Sequence, residues 1–265
     1  MQLGQPFVFG ASAALTTGAL IFLEAEKVNA EISDEDRAEF YFNRGVSKNK
    51  SGDYLGAISD FNKSIESYPN VFLTYFYRGV AKIETGDYAS AISDFTLAIK
   101  FNPEDSYSYF NRASVKEDHL GDYLGAISDY TKAIEFNPSM ANAFENRGRI
   151  KAIHFSKYSE AILDFNQAIK INPNESSYYF NRASAKSNSG DYYGAISDYN
   201  QVIKLDPNDA QAYHDRGKVW YQLGINSKAI SDINMAIEIN PKEYSFYYSR
   251  GIVKDRLKDF QGSIS

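Results

Sequence analysis

The side chains able to do chemistry are spread along this 265-residue chain in a fixed register instead of gathering at a few positions. Arginine stands at Arg44, Arg78, Arg112, Arg147, Arg182, Arg216 and Arg250, and aspartate at Asp60, Asp94, Asp129, Asp164, Asp198 and Asp232. A cation and an anion repeated at one interval predict a ladder of ion pairs. Each rung contributes about 0.2–1 kcal/mol if exposed, whereas deleting one partner of a desolvated rung costs about 3–5 kcal/mol. The residues for metal or nucleophilic chemistry are missing. There is no cysteine, and none of the three histidines, His119, His154 and His214, has a second ligand-type residue at metal-binding spacing. No glycine-rich phosphate loop or nucleophile elbow occurs. The sequence therefore predicts no catalytic residue, no metal site, no cofactor and no enzymatic activity within the chain.

The elements that carry these residues follow from the prolines Pro69, Pro103, Pro138, Pro173, Pro207 and Pro241, which recur every 34 or 35 residues. With each proline as position 32 of a unit, position 4 is aromatic (Tyr41, Tyr75, Tyr109, Phe144, Tyr179, Tyr213, Tyr247), position 8 is glycine or alanine, and position 20 is alanine in six copies. Position 24 is Phe61, Phe95, Tyr130, Phe165, Tyr199 and Ile233. Positions 4 and 8 lie on one face at a period of about 3.6, as do 20, 24, 27 and 28, which predicts two helices per unit. Helix A spans positions 2 to 14. Gly52, Gly86, Gly121 and Gly190 supply a left-handed stop, the aspartate after each caps helix B, and Asn-Pro ends helix B. Two units hold one extra residue, near His119 and His154, expected to lengthen a hairpin turn. Lysine at position 11, as in Lys48, Lys82 and Lys116, is expected to face solvent.

Aromatic 4, Gly/Ala 8, Gly 15, aromatic 17, Ala 20, aromatic 24, small 27 and Pro 32, repeated six times and a seventh in part, resemble the tetratricopeptide repeat. The resemblance runs from about residue 38 to the end. It implies an all-α, right-handed superhelical solenoid of helical hairpins, with repeats at 38–71, 72–105, 106–140, 141–175, 176–209 and 210–243 and a partial repeat at 244–265. It also implies a non-enzymatic scaffold for a protein or peptide partner, in a bacterial setting. Two other readings stay open: a substrate-recruiting arm of a larger enzyme, or an array that self-associates through the incomplete last repeat. The 35-residue spacing also resembles pentatricopeptide RNA readers, but a net charge of -6 argues against nucleic acid.

In this family positions 2, 5, 6, 9 and 12 of helix A line the concave wall, so the resemblance places the candidate peptide site there. Position 5 offers Phe42, Phe76, Phe110 and Phe180, interrupted by Glu145 and by His214 on the inner face. Position 6 offers Asn43, Asn111, Asn146 and Asn181, similar to the asparagine ladder in the enzyme that adds N-acetylglucosamine to protein hydroxyls. An asparagine amide pairs with both polar groups of a peptide unit, and a neighbouring phenylalanine adds sequence-tolerant apolar contact. The alternative is that the phenylalanines are buried between helices and the asparagines only solvate the face. Phe42 and Val46 stand where related chaperone adaptors carry a lysine-asparagine clamp, so binding of chaperone tails is not expected.

Residues 6–23 carry no charge and precede the acidic stretch 24–36. Segment 1–30 reads as a signal peptide, cleaved before Glu31, or as an uncleaved membrane anchor, with 31–37 as a linker; a third account places the true start upstream. Export to a periplasm or lumen, or tethering to a membrane, is the expected localisation.

Overall fold

The computed structural model describes residues 33–262 and forms two compact units, in which the glycine and Asn-Pro punctuation yields 13 α-helices. The first unit, up to Leu120, holds α1 (Asp34–Lys50), α2 (Tyr54–Ser67), α3 (Phe72–Glu84), α4 (Tyr88–Phe101) and α5 (Ser106–Leu120). The second holds α6 (Tyr123–Phe136), α7 (Ala141–Phe155), α8 (Tyr158–Ile171), α9 (Ser176–Asn188), α10 (Tyr192–Leu205), α11 (Ala210–Gln222), α12 (Asn226–Ile239) and α13 (Tyr244–Gly262). No strand occurs among the described residues. Within each unit a helix A packs on its own helix B and on the helix B before it, as α3 does on α4 and α2 and α9 on α10 and α8. Segment 1–30 lies outside the described residues. No described helix is long and apolar enough to cross a membrane.

Local chemistry sets the helix ends. Gly52, Gly86, Gly121 and Gly190 have φ of 84°, 80°, 64° and 89°, a region open to glycine at no steric cost. The side chains of Asp53, Asp87, Asp122 and Asp191 then accept the N–H of Gly56, Ser90, Gly125 and Gly194. The fourth repeat has Ser156 at the glycine position, and it takes the left-handed conformation with φ 53°. The extra residue of repeats three and four does not lengthen the turn. It extends helix A, so that α5 and α7 run 15 residues and His119 and His154 sit on a final helical turn. There the imidazoles stack on Tyr88 and Tyr123 of the preceding repeat, at centroid separations of 3.6 and 3.5 Å.

The core repeats with the sequence. The position-20 alanines Ala57, Ala91, Ala126, Ala161, Ala195 and Ala229 are fully buried. The position-24 side chain packs over the position-8 glycine of its own helix A in repeats one, two, four and six, and in five repeats it shares a core cluster with position 10 of the next helix A. Phe61 thus meets Ala81, Phe95 meets Val115, Phe165 meets Ala185, Tyr199 meets Val219 and Ile233 meets Val253. Burying each such side chain contributes about 1.5–3 kcal/mol, and because half of each contact belongs to a neighbour, no hairpin completes its core alone. The position-4 tyrosines anchor the entry to helix A, with Tyr179 and Tyr247 donating to the carbonyls of Pro173 and Pro241 at 3.1 Å.

The last repeat departs from expectation. Position 15 is Lys258 instead of glycine, and α13 continues unbroken to Gly262, through the point at which the other repeats turn into helix B.

A Cβ at Gly79 would stand 3.0 Å from Phe95 Cε1. Gly79→Leu is therefore expected to cost about 1–3 kcal/mol by overpacking, read as a lower urea midpoint with an unchanged slope.

Candidate functional site

The periodic charges form the expected ladder, and its rungs lie within repeats. Nε and Nη2 of Arg44, Arg78, Arg147, Arg182 and Arg216 donate to both carboxylate oxygens of Asp60, Asp94, Asp164, Asp198 and Asp232, with Nη2–Oδ1 distances of 2.6–2.7 Å. Each aspartate comes from the middle of a helix B and is buried. A buried carboxylate is tolerated only when paired and hydrogen-bonded, and two-point guanidinium contact supplies this.

Two partners of the ladder escaped the sequence reading. Position 11 is not a solvent-facing lysine: Lys48, Lys82, Lys151 and Lys186 reach the same aspartates at 2.8–2.9 Å. One helical turn separates positions 7 and 11, so both cations reach one carboxylate projecting from the facing helix. Position 25 supplies the other partner. Nη1 of Arg78, Arg112, Arg147, Arg182, Arg216 and Arg250 donates to Asn62, Thr96, Thr131, Asn166, Asn200 and Asn234 of the preceding helix B, at 2.6–3.0 Å. The strict Asn/Thr choice at that position was the available signal. In all seven copies the guanidinium also lies over the position-4 ring of its own helix, 5.1–5.6 Å from the centroid. At Asp60, burial works against ionisation, but hydrogen bonds from Arg44 and Lys48 prevail and hold the carboxyl below its ordinary value.

The candidate peptide-site residues fall into three groups. Phe42 is buried: it packs on Phe61 and Tyr77 at 6.1 and 5.7 Å and belongs to the core of the first hairpin. Phe76 and Phe180 are half-buried, edge-on to Phe95 and Tyr199 at 5.9 and 5.6 Å, and Phe110 is half-buried as well. Position 5 thus turns into the hairpin seam, as the alternative reading anticipated for the phenylalanines. His214 is also buried. Its Nε2 lies 2.8 Å from Ser249 Oγ and its ring 4.7 Å from Phe246, which ties α11 to α13. Burial pushes its pKa below the ordinary value, although Asp215 and Glu243 oppose this.

The asparagines remain at or near the surface. Asn43 is exposed, and Asn111 Nδ2 donates to Tyr107 O of its own helix at 2.8 Å. In the second unit the amides link neighbouring helices. Asn146 Nδ2 donates to Tyr130 Oη at 3.1 Å, and Asn181 Nδ2 to Glu145 Oε1 at 3.0 Å. Beside them Tyr178 Oη donates to Asn142 Oδ1 at 2.8 Å, so α7 and α9 share a polar face. Burial raises the pKa of the Glu145 carboxyl, while Ser177, Arg149 and Asn181 favour its charged form. Burial and the nearby Glu145 and Glu175 carboxylates push Tyr178 up to about 12. Among the described residues no group of three or more His, Cys, Asp or Glu side chains is placed to hold a metal ion.

Arg182 and Asp198 are expected to couple strongly in a double-mutant cycle. Asp198→Ala alone leaves Arg182 and Lys186 without their counterion and costs about 3–5 kcal/mol. A coupling energy of zero by urea denaturation would remove the ladder as a stabilising device.

Three family models match the chain: a tetratricopeptide repeat over residues 38–71, a tetratricopeptide repeat over 76–141 and a TPR repeat over 185–224. No curated protein sequence matches it. Among solved structures it is similar to YrrB, described as a TPR protein with an unusual peptide-binding site (19% identity, 72% of this chain and 97% of that one, TM-score 0.66). It is also similar to a tetratricopeptide repeat protein from Parabacteroides merdae (21% identity, 84% and 88%, TM-score 0.66) and to PilF of Pseudomonas aeruginosa (15% identity, 82% and 98%, TM-score 0.67). The all-helical solenoid fold expected from the sequence is the one these structures share, and the chain belongs to the tetratricopeptide repeat family.

Proposed function

We propose that the chain is a non-catalytic protein-interaction scaffold that holds an extended peptide segment of a partner against its helix A faces, with the polar face of α7 and α9 as the principal site. The observation that carries this reading is the state of Asn146 and Asn181. Each spends one amide N–H on a neighbouring helix, which fixes the side chain. A primary amide keeps a second N–H and a carbonyl, and those two groups complement a peptide unit. Fixing the amides beforehand lowers the ordering entropy that binding must overcome. The description of YrrB as a peptide binder supports the reading. Phe180, next to Asn181 on α9, is half-buried against Tyr199 and does not anchor the face, so the site selects backbone more than side chains.

The expected outcome of panning a random phage-displayed peptide library on the chain is a set of clones that bind Asn146→Ala/Asn181→Ala at least about tenfold more weakly, a loss of about 1.4 kcal/mol. Equal affinity for the variant, with helix content unchanged by circular dichroism, would overturn the asparagine role.

We further infer export or membrane tethering of a bacterial scaffold, supported by the uncharged run 6–23 ahead of an acidic stretch. Mass spectrometry of the native protein is expected to find a mature N-terminus at Glu31, whereas a chain retaining residues 1–30 would exclude cleavage.

A further inference from the structure

Position 5 of helix A is phenylalanine at Phe42, Phe76, Phe110 and Phe180, but in α7 it is Glu145. Its carboxyl is half-buried, and burial is the strongest influence on its ionisation. The groups that hydrogen-bond it are neutral: the Ser177 hydroxyl, and the Asn181 amide, whose Nδ2 donates to Oε1 at 3.0 Å. Arg149 favours its charged form through space. Among the described residues no cation forms an ion pair with Glu145. By contrast Asp164, Asp198 and Asp232 of the same unit are each gripped by an arginine, and Asp215 on α11 meets Lys218 Nζ at 3.1 Å. Beside Glu145 stands a second carboxylate. Glu175 is the N-cap residue of α9, yet its side chain makes no capping hydrogen bond, and its charge raises the pKa of both the Glu145 carboxyl and the Tyr178 hydroxyl.

We infer that the peptide held on the α7 and α9 face carries a lysine or arginine whose cation ends on Glu145, with the Glu175 carboxylate beside it. The inference rests on the reading of that face as a peptide site and adds a charge requirement to it. Tying α7 to α9 does not need the charge, because a glutamine carbonyl can accept the same two hydrogen bonds. A half-buried carboxylate without a counterion is costly to keep ionised, and an arriving ammonium or guanidinium removes that cost. The same two carboxylates repel an acidic residue at that place, so partners are sorted by charge as well as by fit. The asparagines hold peptide backbone and read no side chain. Glu145, bonded to Asn181, places the cation next to the peptide unit that the amide grips.

The probes are two phage-displayed libraries of random dodecapeptides whose variable positions exclude lysine, arginine and histidine. They are identical except for a fixed central residue, arginine in one and methionine in the other. Panning on the full 265-residue chain is expected to enrich the arginine library at least about tenfold over the methionine library. On the Glu145→Gln chain, which keeps the hydrogen bond from Asn181, that preference is expected to shrink to about twofold or less. A carboxylate with a merely structural role would instead weaken both libraries alike and leave their ratio unchanged. Equal enrichment of the two libraries on the native chain, or an arginine preference that survives in Glu145→Gln, would overturn the charge requirement and leave the asparagine reading standing. Enrichment of neither library would overturn the peptide site itself, and this inference with it.

Discussion

A single guanidinium at position 7 of each helix A joins the parts of the repeat. In Arg78, Arg147, Arg182 and Arg216 two of the nitrogens grip a buried aspartate of the same hairpin, the third reaches an asparagine or threonine of the hairpin before, and the guanidinium lies over the aromatic ring one turn earlier. Hairpin closure and hairpin stacking are thereby tied to one side chain. Lysine would not serve, because a point-like ammonium lacks the rigid fork that satisfies two acceptors at fixed geometry. The aspartate sits where only a doubly or triply hydrogen-bonded carboxylate survives desolvation, so the relative position of helices A and B is over-determined by polar geometry as well as by packing.

This arrangement explains where the ladder tolerates variation. In repeat six, position 11 is Trp220, and Asp232 has only Arg216; it is the most exposed of the six aspartates, at 8%. Without the lysine, the two-point contact with Arg216 is what holds this carboxylate. Arg44 at the other extreme has no preceding described helix B, and its side chain is 32% exposed against 15–17% for Arg78, Arg147, Arg182 and Arg216.

The helix A faces divide along similar lines. Positions that a helical wheel assigns to the inner wall are in part claimed by the seam, since position 5 follows position 4 by about 100° and a ring as large as phenylalanine reaches back to the position-24 aromatic. Polar residues at the same depth bridge successive helices A, as Glu145 with Asn181 and His214 with Ser249 do. Residues that fix the spacing between repeats and residues available to a ligand are therefore intermixed. The asparagines do both, because an amide has more hydrogen-bonding groups than one neighbour can use.

Local rules determined the helix boundaries from sequence alone: glycine's freedom at positive φ, aspartate's capping of the next helix and proline's incompatibility with a helix interior act within a few residues of themselves. Period and identity likewise placed the arginines and aspartates in one ladder, but whether a rung closes within a repeat or between neighbours was decided only by the packing of the helices. What only the tertiary structure decided are the matters that depend on how far one helix tilts over another. It turned Lys48, Lys82, Lys151 and Lys186 from solvent-facing side chains into partners of a buried carboxylate, drew Phe42 and His214 inside, and carried the extra residue of repeats three and four into helix A. Each of these depends on contacts between residues on different helices. A linear pattern gives the direction of a side chain from its own helix, but the depth of the facing surface belongs to the packed pair.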